Sequence, residues 1–323
     1  MLNPIDDSHA VQIQAGINGR IQGHSFEDKI TEDINNFIYP LSLDEPKIGH
    51  VCTGNPALLL LNYIGNKNNS NIIIEASAFS TGSLATCKDG KKLLSINGIP
   101  LSKCKSDIIL QIKFENEFKT IIGVSTKQCN NRKPTNAQLY FTTARGFSNL
   151  LKDNGIKVSA SAIKSMRQFC GDIGYRPLDD ISIIDRKSDP RRFFWDEIDE
   201  SGRNEWEQIF NDNHDNILKL LLQKAYSNDP FAPEYLLHKT KSSSLLDTAE
   251  VAIYSIDEIV ALSKAYKGFE LKKYSVRKGT YKDPPGVFHQ APRFGIVQMQ
   301  RGGQAQHPEQ LQFNLEAGYF YKI

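Results

Sequence analysis

Two strand-like runs joined by a short polar turn constrain the fold of this chain more than any other feature. The runs 108–114 and 120–124 are rich in β-branched and large apolar residues, and the polar triplet Glu115-Asn116-Glu117 separates them. This pattern predicts a β-hairpin. With the turn centred on Asn116, residues whose numbers add up to twice 116, or 232, lie opposite each other across the hairpin.

That register places three polar side chains at the open end of the hairpin. Asp107 lies across from Ser125, with Cβ atoms roughly 4.5–5.5 Å apart, and Lys127 shares their face because it is two residues further along. A slip of one residue would move Lys127 to the other face. A carboxylate beside an amine suits Mg²⁺-assisted phosphodiester hydrolysis, because the carboxylate holds a hard cation and the amine orients or deprotonates the attacking water.

These residues resemble a nuclease family. The array Asp107…Ser125-Thr126-Lys127 is similar to the D…(D/E)xK signature of the PD-(D/E)xK superfamily, to which most type II restriction enzymes belong. It departs from that pattern at Ser106, where the family has proline, and at Ser125, where it has an acid. The resemblance implies a Mg²⁺ ion held by Asp107 and the Thr126 carbonyl, with Lys127 activating water.

A further acidic ligand is expected from elsewhere, because Ser125 supplies no charge. In the superfamily a glutamate often comes from a helix before the core strands, and Glu27, which follows Gln22-Gly23-His24-Ser25-Phe26, is the candidate. Glu75, after the buried-strand signal at 72–74, is its rival. We expect Ser125 and Gln128 to support the site. A structural reading stays open, in which Asp107 caps a turn and Lys127 is an exposed strand-end residue.

Two segments carry side chains suited to DNA. The segment 128–138 is dense in amide and basic groups, which pair with base edges or phosphates. The stretch 298–314, which contains Gly302 and Gly303, resembles a QR-x-GG…N/H-P-x-QLQF stretch of restriction-type endonucleases. Basic residues alternate with tyrosines upstream of the second segment, as in a groove that tracks the nucleic-acid backbone. The predicted DNA contacts are Asn130, Asn131, Arg132, Lys133, Asn136, Arg277, Lys278, Gln298, Gln300, Arg301, Gln304 and His307. The alternative is a solvated polar loop in the first case and a basic surface strand with a tight turn in the second.

Charge distribution agrees with a polyanionic partner more than net charge does. The net charge is only +2. Residues 196–229 contain nine acids and three bases, whereas residues 271–307 contain seven bases and one acid. Such a chain can present one cationic face to DNA, although ordinary surface charge would also explain the pattern.

The predicted architecture is an α/β (α+β) fold, with a mixed central sheet flanked by helices and a β-rich C-terminal part. Residues 1–170 are expected to form a nuclease core, and residues 171–323 a helical segment and a β-rich DNA-recognition region, with a soft boundary near Gly171 or one continuous domain. The predicted helices are 19–37 (capped by Ser25), 55–64, about 134–151, a helix opened by Ser159 or Ser161 through 169, and 213–226. The predicted strands beyond residue 231 are 251–256, 269–276, 295–299 and 310–315.

Several other classes are excluded by the sequence. No GxxxxGK[ST], GxSxG or HExxH motif is present, which argues against ATP use, serine hydrolysis and zinc proteolysis. The five cysteines have no CxxC spacing, so they are expected to be reduced thiols. The N-terminus lacks a signal-peptide pattern and the apolar runs are too short to span a bilayer, so a cytoplasmic protein is expected.

The sequence therefore predicts a type II restriction endonuclease that hydrolyses double-stranded DNA with Mg²⁺. By analogy, we expect a homodimer on a palindromic target and a cognate DNA methyltransferase as functional partner. Two alternatives remain: a repair or structure-specific nuclease with the same core, and a non-enzymatic DNA-binding protein in which Asp107 and Lys127 are structural.

Overall fold

A computed structural model describes most of the chain. It covers residues 7–44, 49–81, 94–101, 104–129, 136–186, 189–224, 229–240, 249–266, 268–274, 277–278, 281–282, 289–301, 310–316, 318 and 321. For residues 7–13, 15–20, 94, 249, 274, 277–278, 281–282, 289 and 301 it describes the backbone alone.

Within these residues the chain forms seven helices and sixteen strands. The helices are α1 Asp7–Asn36, α2 Pro56–Lys67, α3 Ala144–Asp153, α4 Ala160–Cys170, α5 Glu200–Asp212, α6 His214–Gln223 and α7 Ile256–Ser263. The strands are β1 Leu41–Ser42, β2 Val51–Gly54, β3 Ile72–Ser80, β4 Leu94–Ile96, β5 Ile99–Leu101, β6 Ile108–Phe114, β7 Lys119–Gln128, β8 Ala137–Thr143, β9 Pro233–Thr240, β10 Ala249–Ser255, β11 Phe269–Tyr274, β12 Arg277–Lys278, β13 Tyr281–Lys282, β14 His289–Phe294, β15 Val297–Arg301 and β16 Gln310–Leu315.

The chain divides into two compact units. One, the hairpin unit, comprises residues 16–137, 222–260 and 317–323, and the other, the aromatic unit, comprises residues 1–15, 138–221 and 261–316. The boundary expected near Gly171 stays a prediction.

A seven-stranded sheet forms the centre of the hairpin unit. Its strand order is β1-β3-β6-β7-β9-β10-β2. β7 and β9 are parallel, whereas the other neighbours are antiparallel. The sheet is therefore mixed, and the predicted α+β class with a mixed central sheet is confirmed. No described helix is both long enough and apolar enough to cross a lipid bilayer.

The predicted hairpin is present in the predicted register. β6 and β7 pair antiparallel, from Ile108 opposite Val124 to Lys113 opposite Lys119, and every pair sums to 232. Five of the seven residues of β6 and five of the ten residues of β7 are buried, because the hairpin lies in the interior of the sheet. Gly123 lets β9 approach β7: a Cβ there would lie 2.9 Å from the Phe231 carbonyl oxygen and would also collide with the Ser106 hydroxyl.

Helix α1 packs on the core of the hairpin unit through apolar residues at helical spacing. Phe26, Ile30 and Ile34 are buried in the apolar cluster. The Asn35 amide donates to and accepts from the Ala78 backbone, at 3.0 and 2.8 Å, which fixes the helix against β3. The helix begins at Asp7 rather than near residue 19, so the prediction that Ser25 caps it was wrong. Ser25 lies within the helix and donates to the Ile21 carbonyl instead.

The aromatic unit contains a five-stranded sheet in the order β11-β14-β15-β16-β8. Phe147, Phe210, Phe294 and Phe313 are fully buried there, and their rings pack in contact with one another. The prediction of a single helix over about 134–151 was wrong. Strand β8 and helix α3 occupy this range, because β8 pairs with β16 at the edge of the sheet.

The remaining expectations hold within a few residues. Ser159 caps α4, with its hydroxyl accepting from Ala162 N at 3.1 Å. Strands β10, β11, β15 and β16 overlap the predicted strands, so the β-rich C-terminal part is confirmed. Strand β14, which precedes the Gly295 turn, was not predicted. The described cysteines form no disulfide, whereas Cys87 lies outside the described residues.

Candidate metal centre

Several polar groups surround the Asp107 carboxylate at the open end of the β6–β7 hairpin, which we call the hairpin mouth. Asp107 precedes β6 and extends its pairing, because its N–H donates to the Val124 carbonyl at 2.8 Å. Its Oδ2 accepts from Thr126 N at 2.7 Å and from Ser125 Oγ at 3.0 Å. The strand thus supplies two donors that fix the carboxylate.

Lys127 lies on the same face, as the register requires. Its Nζ is 3.3 Å from Asp107 Oδ2, 3.1 Å from Ser125 Oγ and 2.7 Å from the Thr126 carbonyl oxygen. About a fifth of the lysine side chain is exposed, and 28% of that of Asp107. The two charged groups are therefore in contact but still open to solvent and to a ligand.

Glu27 comes to this site from helix α1. Its Oε1 accepts from Thr126 Oγ1 at 3.3 Å, so Thr126 contacts both carboxylates. Burial first, and then the nearby Asp107 carboxylate, raise the pKa of Glu27 from its ordinary 4.5 to about 8. Its other oxygen, Oε2, is buried and has no hydrogen-bond partner among the described residues.

The turn of α1 that carries Glu27 is tied to the end of β7. Gln128 Nε2 donates to the Gln22 carbonyl at 2.6 Å, and Phe26 is buried beside the sheet. Gln128, which was predicted to support the site, thus connects β7 to the helix that carries Glu27. Glu75 lies elsewhere: it is exposed and pairs opposite Lys113 at the far end of β6, six residues or roughly 20 Å along the strand from Asp107. The structure brings Glu27, and not Glu75, to Asp107.

Ser106, at the position where the nuclease signature has proline, has a structural role here. It is buried, and its hydroxyl donates to the Phe231 carbonyl at 2.6 Å. This bond ties the residue before Asp107 to the segment that leads into β9. A proline, which has no hydroxyl, could not make it.

The oxygen groups of this site fit a hard divalent cation. The predicted ligands Asp107 Oδ2 and Thr126 O converge on one cation, which in the structure is the Lys127 ammonium. Glu27 offers a second carboxylate with an unsatisfied buried oxygen. Carboxylate and carbonyl oxygens are the ligands that Mg²⁺ prefers. The described residues contain no cluster of three or more His, Cys, Asp or Glu side chains that could hold a metal, so the protein offers two carboxylates and a carbonyl.

Two ionisable groups near this centre were not assigned to it from the sequence. Lys105 is half-buried, and burial followed by the nearby Lys127 ammonium lowers its pKa to about 8. His238, opposite Lys127 on β9, is fully buried, and burial lowers its pKa to about 4. Neither belongs to a motif, although Lys105 lies two residues before Asp107 in the sequence.

Only some of the predicted DNA-contacting residues lie among the residues that the structure describes. Asn136 is exposed just before β8, whereas Asn130, Asn131, Arg132, Lys133, Gln304 and His307 lie outside the described residues. Arg277, Lys278 and Arg301 lie on strands β12 and β15, with their backbone alone described.

Gln298 and Gln300 lie on β15, and their amides bond to neighbouring amides. Gln298 is buried, and its Oε1 accepts from Gln300 Nε2 at 2.5 Å. Gln300 Oε1 in turn accepts from Asn314 Nδ2 at 3.3 Å. A role of either residue in reading DNA stays a prediction.

A Ser–His–Asp chain of hydrogen bonds occurs in the aromatic unit. Ser263 Oγ lies 3.2 Å from His214 Nε2, and His214 Nδ1 lies 3.1 Å from Asp215 Oδ1. Ser263 is fully buried and also accepts from Ile296 N at 3.2 Å. A nucleophile must be reachable by its substrate, so this array links a helix end to the β14–β15 turn rather than forming a hydrolase site.

Comparisons with known proteins add a structural similarity. No protein family pattern matches this sequence, and no curated protein is similar to it. The structure is similar to a crystal structure of the restriction endonuclease MspI in complex with its cognate DNA, with a TM-score of 0.44 and 13% identity, over 79% of this chain and 76% of that chain.

Proposed function

We propose that this protein is a Mg²⁺-dependent type II restriction endonuclease that hydrolyses double-stranded DNA at a short specific sequence. The observation that carries the proposal is the convergence at the hairpin mouth: Asp107 Oδ2 and Thr126 O contact one cation, and Thr126 also contacts the Glu27 carboxylate. An acid, an amine and a second acid in one partly open site are suited to cutting a phosphodiester.

Each side chain has a separate task in this proposal. Asp107, Glu27 and the Thr126 carbonyl would hold Mg²⁺, which when bound polarises the phosphate and lowers the pKa of a water molecule. Lys127, held by three oxygens, would orient or deprotonate the attacking water and offset the charge that develops on the phosphate. Ser125 and Gln128 would hold Asp107 and helix α1 in place.

The partners follow from the same proposal. The substrate would be duplex DNA, contacted by the predicted amide and basic residues. A homodimer would match a palindromic target, and a cognate DNA methyltransferase would protect the host sites. A cytoplasmic location would suit this role.

Lys127→Ala tests the site directly, and Lys119→Ala is its matched control because Lys119 is an exposed lysine on the same strand. With phage DNA and Mg²⁺, wild type and Lys119→Ala should give discrete bands. Lys127→Ala should cut at least about 100-fold more slowly, the usual scale of general acid–base catalysis, and should still retard duplex DNA in Ca²⁺.

The alternatives predict other results. Normal cutting by Lys127→Ala would show that the site is wrongly assigned. A smear, or cutting only of branched or damaged DNA, would indicate a repair or structure-specific nuclease. DNA retardation without any cutting by wild type would indicate a binding protein in which Asp107 and Lys127 are structural.

A further inference from the structure

One side chain beside the candidate centre has no role in the proposed function. His24 lies one helical turn before Glu27 on α1, and its Nδ1 is 3.4 Å from Glu27 Oε2. Both ring nitrogens of His24 are buried, as is Glu27 Oε2, and none of the three atoms makes a hydrogen bond within the described part of the chain. The Glu27 side chain itself is 10% exposed.

Such an arrangement is costly unless something satisfies it. Buried polar atoms are nearly always bonded, and those left unsatisfied require an explanation such as an ion. Donor and acceptor atoms of a hydrogen-bonded pair would lie closer together and be better aligned than these two atoms.

The separation suits two ligands of one metal ion. Two donor atoms that each lie about 2.1 Å from a tetrahedral ion are about 3.4 Å apart, which is the distance found here. Residues three apart on a helix share a face, so one turn of α1 can supply both ligands. An imidazole nitrogen suits borderline transition metals, whereas Mg²⁺ prefers oxygen.

We propose that His24 Nδ1 and Glu27 Oε2 are two protein ligands of a site for a divalent transition-metal ion. Glu27 thereby faces two positions: Oε1 lies toward Thr126 and the proposed Mg²⁺ centre, and Oε2 lies toward His24. This inference rests on the proposed function, because it makes Glu27 the residue shared between the two positions.

Co²⁺ binding to the full chain, stripped of metal and free of DNA, tests the site. The visible absorption of bound Co²⁺ gives its affinity, and a separate calorimetric titration gives the affinity for Mg²⁺. His24→Gln and Glu27→Gln should each weaken Co²⁺ binding at least tenfold. His24→Gln should change Mg²⁺ binding less than threefold. Glu32→Gln, an exposed acid on the same helix, should leave both affinities unchanged.

A variant that gains affinity for another metal ion shows that the loss in His24→Gln is not caused by failure to fold. His24→Cys places a thiolate at the same position, and thiolates select softer ions. It should bind Cd²⁺ at least tenfold more tightly than His24→Gln does, with a thiolate-to-cadmium absorption band beyond that of wild type.

Two results would overturn the inference. Co²⁺ affinity of His24→Gln within twofold of wild type would show that the imidazole is not a ligand. Equal losses of Co²⁺ and Mg²⁺ affinity would show that His24 only orients Glu27 by an ion pair. DNA cleavage by wild type separates the two proposals: selective Co²⁺ loss without any cleavage would refute the endonuclease alone, and cleavage with unaltered Co²⁺ binding would refute the His24 site alone.

Discussion

Glu27→Gln should stabilise the metal-free protein at alkaline pH while removing a proposed metal ligand. The Glu27 side chain is nine-tenths buried, and burial together with the Asp107 charge raises its pKa from 4.5 to about 8. The folded state therefore holds this proton more tightly than the unfolded chain does. Glutamine resembles the protonated acid and can still accept from Thr126 Oγ1.

The sign and size of the effect follow from linkage. The stabilising contribution of a raised pKa is complete below about pH 4.5, and it is lost as the pH rises through about 8. At about 1.4 kcal/mol per pH unit, the whole change amounts to roughly 5 kcal/mol. Relaxation around the ionised group would reduce this figure, so a loss of at least about 2 kcal/mol between pH 5 and pH 9 is expected for wild type relative to Glu27→Gln.

Urea unfolding in EDTA at pH 5, 7 and 9 measures this difference. Hydrogen exchange of peptides from the β6–β7 hairpin is the suitable signal, because Trp195 and Trp206 both lie in the aromatic unit and would report on that unit. Glu32→Gln is the control, since Glu32 is 64% exposed. The stability of Glu32→Gln should follow that of wild type at every pH.

Mg²⁺ should offset much of the stability that wild type loses at alkaline pH. An ion that binds only the folded state adds about 2.7 kcal/mol when it is present at about 100 times its Kd. Wild type at pH 9 should gain this stability, whereas Glu27→Gln should gain much less. Parallel stability curves for the two proteins from pH 5 to pH 9 would refute the reasoning, because they would mean that Glu27 is not held in a desolvated site beside Asp107.

Two further substitutions probe the framework. Gly123→Ala should lower the free energy of unfolding by roughly 1–3 kcal/mol, because the new Cβ collides with Ser106 and the Phe231 carbonyl. Hydrogen exchange in β7 and β9 should become faster, and unchanged exchange would contradict the close approach of these strands. Ser263→Ala should lower stability by about 1–3 kcal/mol, since a buried N–H and the His214 ring each lose a partner. DNA cleavage should be unaffected, and a loss of cleavage at unchanged thermal stability would count against a purely structural role.

Sequence reasoning located the hairpin because its determinants are local. A polar triplet between two apolar runs fixes the position of the turn, and the turn fixes which residues lie opposite each other. The sequence alone therefore places Asp107, Ser125 and Lys127 on one face. The helix expected after Pro134 failed for the converse reason. Residues 137–143 form a strand by pairing with β16, a partner about 170 positions away that no local pattern reveals.

The rest of the candidate site depends on tertiary packing. Glu27 and Glu75 were both plausible second acids, and the choice depends on how α1 lies against β7, which the Gln128–Gln22 bond fixes. His24 gave no signal at all. The spacing of His24 three residues before Glu27 does not by itself indicate a metal site in a sequence, and the histidine becomes notable only when its nitrogens are buried beside an unsatisfied carboxylate oxygen.

The chemistry of the hairpin mouth depends on which cation the oxygens hold. In the structure the Lys127 ammonium occupies the position between Asp107 Oδ2 and the Thr126 carbonyl. If these oxygens held a divalent ion, Lys127 would lose its contacts with them, and the added positive charge would favour ionisation of Glu27, whose pKa burial has raised. Lys127, the proposed water-activating group, would then become available when the proposed ligands Asp107, Glu27 and the Thr126 carbonyl are complete.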